Sequence, residues 1–190
     1  VIASLGMYDL PPLQAANDRL WAGLRDGLRA RGIAAPEALT RGEAAYWAAW
    51  TDPGLVFSQT CGFPYRARLH GQVTLVGTPD YGVEDVPPGY YRSVFVARRD
   101  DPRAAVEAFD GAVLAYNEGL SQSGWAAPMT FAAARGLAFA TGPQTCGHLR
   151  SALAVRDGTA EIAALDAVTW ALLRAHEDWT VDLKEVGATD

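Results

Sequence analysis

The sequence predicts an α/β fold built as two successive units. Short β-branched or apolar runs alternate with amphipathic stretches along the whole chain, and one long alternating run, Tyr91-Arg92-Ser93-Val94-Phe95-Val96-Ala97, joins a first set of such alternations to a second. The 190 residues suit either two lobes or one open sheet.

The elements follow in order. The first strand runs to about Leu5, and Gly6-Met7-Tyr8-Asp9 turns at its carboxyl end ahead of Pro11-Pro12. Leu13, Leu20, Leu24 and Leu28 then share a helical face with Trp21 at its flank, and Gly32 stops the helix. Thr40 and Glu43 have the spacing of a capping box for a second helix through Tyr46, Trp47 and Trp50. Leu55-Val56-Phe57 reads as a buried strand that delivers Ser58-Gln59-Thr60-Cys61-Gly62 to its end, and a short helix follows. Val73 to Val76 reads as a strand and Tyr81 to Gly89 as a loop. After the long strand, Asp101-Pro102 restarts a helix, with Asp as cap and Pro at its first position.

The second unit reads as a strand at Ala112–Tyr116, a loop from Asn117 to Gly124 and a helix to about Arg135. A strand at Leu137–Ala140, a helix at 148–156, a strand at Ile162–Leu165 and a helix at 167–176 complete it.

Composition narrows the function. The chain is 49% hydrophobic, with 16 Lys and Arg against 22 Asp and Glu and a net charge of −6. An acidic chain without clustered cations lacks the footprint of a nucleic-acid binder. Charged, Pro or Gly residues interrupt every apolar run short of a membrane span. The chain opens on a strand-like segment with no secretory signal visible, so either a leader has been removed or none existed. Two cysteines, Cys61 and Cys146, exclude a disulfide-dense scaffold, and three histidines without paired spacing predict no metal site and no cofactor.

Two segments carry candidate chemistry. In Asn117-Glu118-Gly119-Leu120-Ser121-Gln122-Ser123-Gly124-Trp125, between a strand and a helix, two hydroxyls and close-approaching glycine backbone can meet an anionic oxygen, or one serine can simply cap the helix. The second Gly of a hydrolase elbow is replaced by Ser123. In Gln144-Thr145-Cys146-Gly147-His148-Leu149-Arg150-Ser151, His148 stands at a helix start, where it can donate to a ligand or serve only as a helix-end residue. Asp166 ends a strand at the sheet edge where α/β proteins place ligands, or caps the helix at Ala167. Tyr8, Gln59, Thr60 and Gly62 line the corresponding edge of the first unit, or are turn residues, and Trp47, Trp50, Trp125 and Trp170 read as core.

With Pro88-Gly89-Tyr90-Tyr91-Arg92-Ser93-Val94 and Gly158-x-Ala160-Glu161-Ile162-Ala163-Ala164-Leu165-Asp166, these segments resemble the phosphate, phosphite and phosphonate substrate-binding proteins of ABC transporters, the PhnD type. The resemblance implies a type II periplasmic-binding-protein fold with two crossover strands and a ligand between its lobes. It implies lobe 1 at 1–97, lobe 2 at 98–176, and 177–190 as the start of a segment returning to lobe 1. It implies a ligand set of Tyr8, Gln59, Thr60, Cys61, Gly62, Tyr90, Ser121, Gln122, Ser123, Gly124, His148 and Asp166, with the Gln122 contribution from its backbone. The family's first-lobe aromatic is replaced by Gln59-Thr60.

The expected function is capture of a small phosphorus oxyanion or organophosphonate, without catalysis, by a periplasmic monomer that serves an ABC permease. The alternatives are an enzyme on the same fold, using Cys61 or His148, and a cytoplasmic location. Cys61 and Cys146 are expected to stay reduced.

Overall fold

The computed structural model describes residues 1–84 and 86–189. It contains two compact units, Val1–Val73 and Thr74–Asp190.

The first unit is a two-stranded parallel sheet of β1 (Ile2–Ser4) and β2 (Leu55–Ser58), covered by helix α1 (Gln14–Arg29). Trp21 of α1 is 2% exposed and packs with Ala3, Leu5, Ala35 and Leu39, while Leu24 and Leu28 lie against this cluster. Leu20 is 55% exposed. The buried stripe therefore centres on Trp21, Leu24 and Leu28, and Leu20, expected inside, falls off its edge because the largest side chain sets the helix rotation. The indole Nε1 donates to the Pro36 carbonyl at 3.2 Å, which lets Trp21 be buried without an unsatisfied donor.

The expected capping box at Thr40 and Glu43 does not form. Thr40 instead bridges Ser4, its N–H donating to the Ala3 carbonyl at 2.7 Å, and only a 3₁₀ turn at Gly42–Ala45 and the single turn α2 (Trp47–Trp50) follow. After β2 the chain forms α3 (Gly62–Pro64) and a π-helical turn, Tyr65–Leu69. The strand expected at Val73–Val76 is also absent: Leu75 and Val76 are 59% and 82% exposed, with no sheet edge beside them.

The second unit is a five-stranded sheet of order β5-β4-β6-β3-β7, formed by β3 (Ser93–Arg98), β4 (Val113–Tyr116), β5 (Ala140–Gln144), β6 (Ile162–Asp166) and β7 (Leu183–Ala188). β4 runs parallel to β5 and β6, and β3 antiparallel to β6 and β7. Every residue of β6 is buried. Phe95, Ala97, Leu114, Ile162 and Ala164 pack on one face with Val106, Phe109, Phe131, Phe139 and Val186. Helices α5 (His148–Arg156) and α6 (Ala167–His176) pack against β3 and β6, and α4 (Ala127–Ala134) completes the set.

The two units divide at 73/74, where the sequence reading placed the boundary at 97/98. The reason is pairing: β3 is bonded on both sides within the second sheet, and β7, expected to begin a return to the first lobe, is its edge strand. Two further expectations are corrected. No helix begins at Asp101-Pro102, because Asp101 Oδ1 accepts the Arg103 N–H at 2.9 Å in a tight side-chain turn while Arg103 also reaches Glu161 at 2.9 Å. The strand expected at Leu137–Ala140 begins only at Ala140, since Leu137 and Phe139 are drawn into the core ahead of it.

The position of Trp21 gives a direct check. Trp21→Ala should cost about 3–5 kcal/mol of unfolding free energy, and Leu20→Ala less than about 0.5 kcal/mol. Equal losses in denaturant titrations would contradict the assigned face of α1.

Candidate functional site

In a sheet where β4, β5 and β6 run parallel, their carboxyl ends lie along one edge, and the start of β3 joins them through the Ser93–Asp166 pair. The segments that follow β4 and β5 carry Ser121, Gln122, Ser123, Gly124 and His148, and Asp166 ends β6.

After β4, Ser121 caps the helical stretch that begins with a π-helical turn at Gln122–Ala126 and continues as α4. Its Oγ accepts the Gly124 N–H at 3.0 Å, so the serine proton stays uncommitted among the described hydrogen bonds. The Gln122 and Ser123 N–H groups stand at the positive end of this stretch. Gly124 is required for closure of the loop: a Cβ there would lie 2.4 Å from Asn117 Oδ1 and 3.1 Å from Ser121 Oγ.

After β5, the chain turns through Thr145, Cys146 and Gly147 into α5. Thr145 N–H donates to the Tyr116 carbonyl at 2.8 Å, and Cys146 N–H to the Asn117 carbonyl at 2.9 Å. Cys146 holds a left-handed φ of 61°, a conformation uncommon for a residue with a side chain. The two helix starts then meet directly, with Ser123 Oγ and His148 Nε2 2.8 Å apart in a buried contact.

Burial pushes the His148 imidazole down to about 4, against a weaker upward pull from the Ala164 backbone, and Nδ1 finds no hydrogen bond of good geometry. The ring is therefore neutral at pH 7. Ser123 Oγ and His148 Nε2 share one hydrogen bond, donated by the hydroxyl in one neutral tautomer and by the ring N–H in the other. Ser123 and His148 are thus engaged with each other at 1% and 9% exposure, where the sequence reading turned both toward a ligand. Asp166, 1% exposed, caps α6 by accepting the Thr169 N–H at 2.9 Å.

In the first unit, the ends of β1 and β2 are tied by the Ser4–Ser58 hydroxyl pair at 2.6 Å. Beyond them lie Gln59, whose carbonyl accepts Trp50 Nε1 at 2.9 Å, and half-buried Thr60, Cys61 and Gly62. Tyr8 ends a 3₁₀ turn, Gly6–Tyr8, and not the strand itself. Both cysteines are free thiols. Tyr90, in the second unit, is 69% exposed, and no described hydrogen bond or ring contact ties it to the Ser123–His148 pair. Among the described residues no group of His, Cys, Asp or Glu could hold a metal ion, and no helix is long and apolar enough to cross a membrane.

The sequence reading missed three polar residues beneath this edge: Asn117, Thr145 and Ser151. Ser151 is wholly buried, one turn beyond His148 on α5, and that i, i+3 spacing was the available signal.

The family described as the ABC transporter, phosphonate, periplasmic substrate-binding protein matches residues 57–190, well over half of the chain. The chain belongs to that family. Among solved structures, XAC2383 from Xanthomonas citri bound to chloride aligns over 100% of this chain and 73% of its own, at 21% identity and a TM-score of 0.65. The CcmR regulatory domain of Synechocystis PCC6803 in complex with 2-PG aligns over 98% of this chain and 79% of its own, at 13% identity and a TM-score of 0.54. PhnD1 from Prochlorococcus marinus in complex with methylphosphonate aligns over 52% of this chain and only 41% of its own, at 18% identity and a TM-score of 0.49. No curated protein sequence matches the chain. The fold is that of the type II periplasmic binding proteins.

A neutral buried imidazole ties stability to pH. The unfolded chain takes up a proton on this side chain near its ordinary 6.5, and the folded chain only near 4. Stabilisation is thus complete above about pH 6.5 and is lost as pH falls toward 4, by on the order of 3 kcal/mol in all. Asp101, held near 2 by Arg103, acts only below the usual carboxylate range and does not overlap this window. Chemical unfolding between pH 7 and 4.5 should show His148→Gln with a flatter stability profile than wild type. Parallel profiles would mean that His148 is not the buried neutral group described.

Proposed function

We propose that the chain captures a phosphonate- or phosphate-type oxyanion at the carboxyl edge of its second sheet and releases it unaltered, as the periplasmic binding component of an ABC transporter. The observation that carries this is the 2.8 Å Ser123–His148 contact, which holds the start of the Gln122–Ala134 helical stretch against the start of α5. Two helix N-termini that converge present several N–H donors and two positive dipole ends to one anion. The Ser121 hydroxyl adds a donor beside them. His148 works through Ser123, whose hydroxyl it orients. Family membership supports the ligand class, and the phosphonate named for the family supplies the probe.

A serine and an imidazole at hydrogen-bonding distance can also form a hydrolytic pair. Here an imidazole held near 4 is a weak base at neutral pH, no carboxylate orients its Nδ1, and the Ser123 hydroxyl is sealed from solvent. These features favour binding over turnover. Incubation with methylphosphonate followed by ³¹P NMR should return the same compound, and a new phosphorus resonance would establish an enzyme.

Ser121→Ala should weaken methylphosphonate binding by about 1.5–3 kcal/mol, the worth of a hydrogen bond to a charged group. Its own acceptance of the Gly124 N–H predicts a smaller loss of fold stability, about 1 kcal/mol. Calorimetric affinity equal to wild type in a folded Ser121→Ala variant would remove the loop after β4 from the site.

A further inference from the structure

We propose that Ser151, on the first turn of α5, is a positioning residue for the oxyanion site, acting through Thr145 and Asn117; this rests on the binding reading above. His148 and Ser151 are three residues apart and so share a helix face. His148 holds the far end of the 117–124 loop through Ser123. Ser151 holds its near end: its Oγ lies 2.7 Å from Thr145 Oγ1 and, at the long limit of a hydrogen bond, 3.5 Å from Asn117 Oδ1. One turn of α5 therefore grips the loop at both ends.

Thr145 Oγ1 lies 3.1 Å from both the Tyr116 and the Gly147 carbonyls, which accept only. Thr145 and Ser151 have one hydroxyl proton each to place among the 2.7 Å contact between them, the two carbonyls and Asn117 Oδ1, so these groups form one shared hydroxyl cluster. Ser151 is wholly buried, so no water replaces its hydroxyl when it is removed. The consequence falls on the ligand loop, because Asn117, beside Ser151, is also the group against which Gly124 is packed, and Gly124 sets Ser121. The Tyr116 and Asn117 carbonyls already receive the Thr145 and Cys146 N–H groups. The hydroxyl chain thus fixes side chains on a frame that the backbone has stitched.

The test is calorimetric titration of the full chain with methylphosphonate. Ser151→Ala and the shape-conserving Thr145→Val should each bind about five- to tenfold more weakly than wild type. Thr145→Ser, which keeps the hydroxyl, should stay within about twofold, a rescue that a purely packing role would not give. In a Ser121→Ala background, Ser151→Ala should add less than about twofold, since its effect passes through the same loop. Should Ser151→Ala fail to fold, the Thr145 pair decides the matter alone. Wild-type affinity in both Ser151→Ala and Thr145→Val, or equal losses in Thr145→Val and Thr145→Ser, would overturn the assignment while leaving the binding reading intact. Absence of methylphosphonate and phosphate binding by wild type would overturn both.

Discussion

A hydroxyl and an imidazole removed from water must satisfy each other or leave costly unpaired groups behind. In this protein that requirement falls on Ser123 and His148, and it fixes the distance between two helices that the sheet has already brought to one edge. The parallel run of β4, β5 and β6 decides which ends of the strands face the same way. The buried pair decides how closely the chain segments leaving those ends approach. In the proposed site the donors for an anion are backbone N–H groups at these two helix starts.

Steric constraint acts with this polar one. The 2.4 Å distance from a Cβ at Gly124 to Asn117 Oδ1 means the loop closes only with glycine there. Gly142 shows the same economy within β5, where a Cβ would lie 2.6 Å from the Leu114 carbonyl and would prise β5 from β4. Electrostatically, Ser121, Ser123 and His148 are neutral groups at pH 7, while the Asp166 carboxylate accepts the Thr169 N–H at the start of α6. On a chain of net charge −6, the proposed recognition of an oxyanion there rests on dipoles aimed at short range.

The helices at 148–156 and 167–176 were legible to the residue, because Gly147 and Asp166 mark their starts and their apolar positions recur with helical period. The buried strands β4 and β6 were legible as short apolar runs, and β3 as one long alternating run. β7 was not, because a bulge places Gly187 opposite Phe95 and Glu185 opposite Val96, which breaks the alternation that marks a strand. β5 was misplaced because its own residues, with Gly142 and Pro143, read as a turn, while the apolar Leu137 and Phe139 beside it belong to the core. At the site, Ser-x-Ser-Gly and Gly-His were visible as motifs. Their mutual hydrogen bond was not, since it joins residues 25 apart in sequence. The role of Ser151 needed three-dimensional placement for the same reason.

The centre of the proposed site is a neutral, buried His148 in contact with Ser123. Long-range ¹H–¹⁵N NMR of the imidazole, recorded at pH 7 with and without methylphosphonate, tests this directly. A neutral ring in both states, and an Nε2 shift that moves on ligand addition, is the predicted result. A doubly protonated ring, or an Nε2 resonance indifferent to saturating methylphosphonate bound elsewhere, would contradict it.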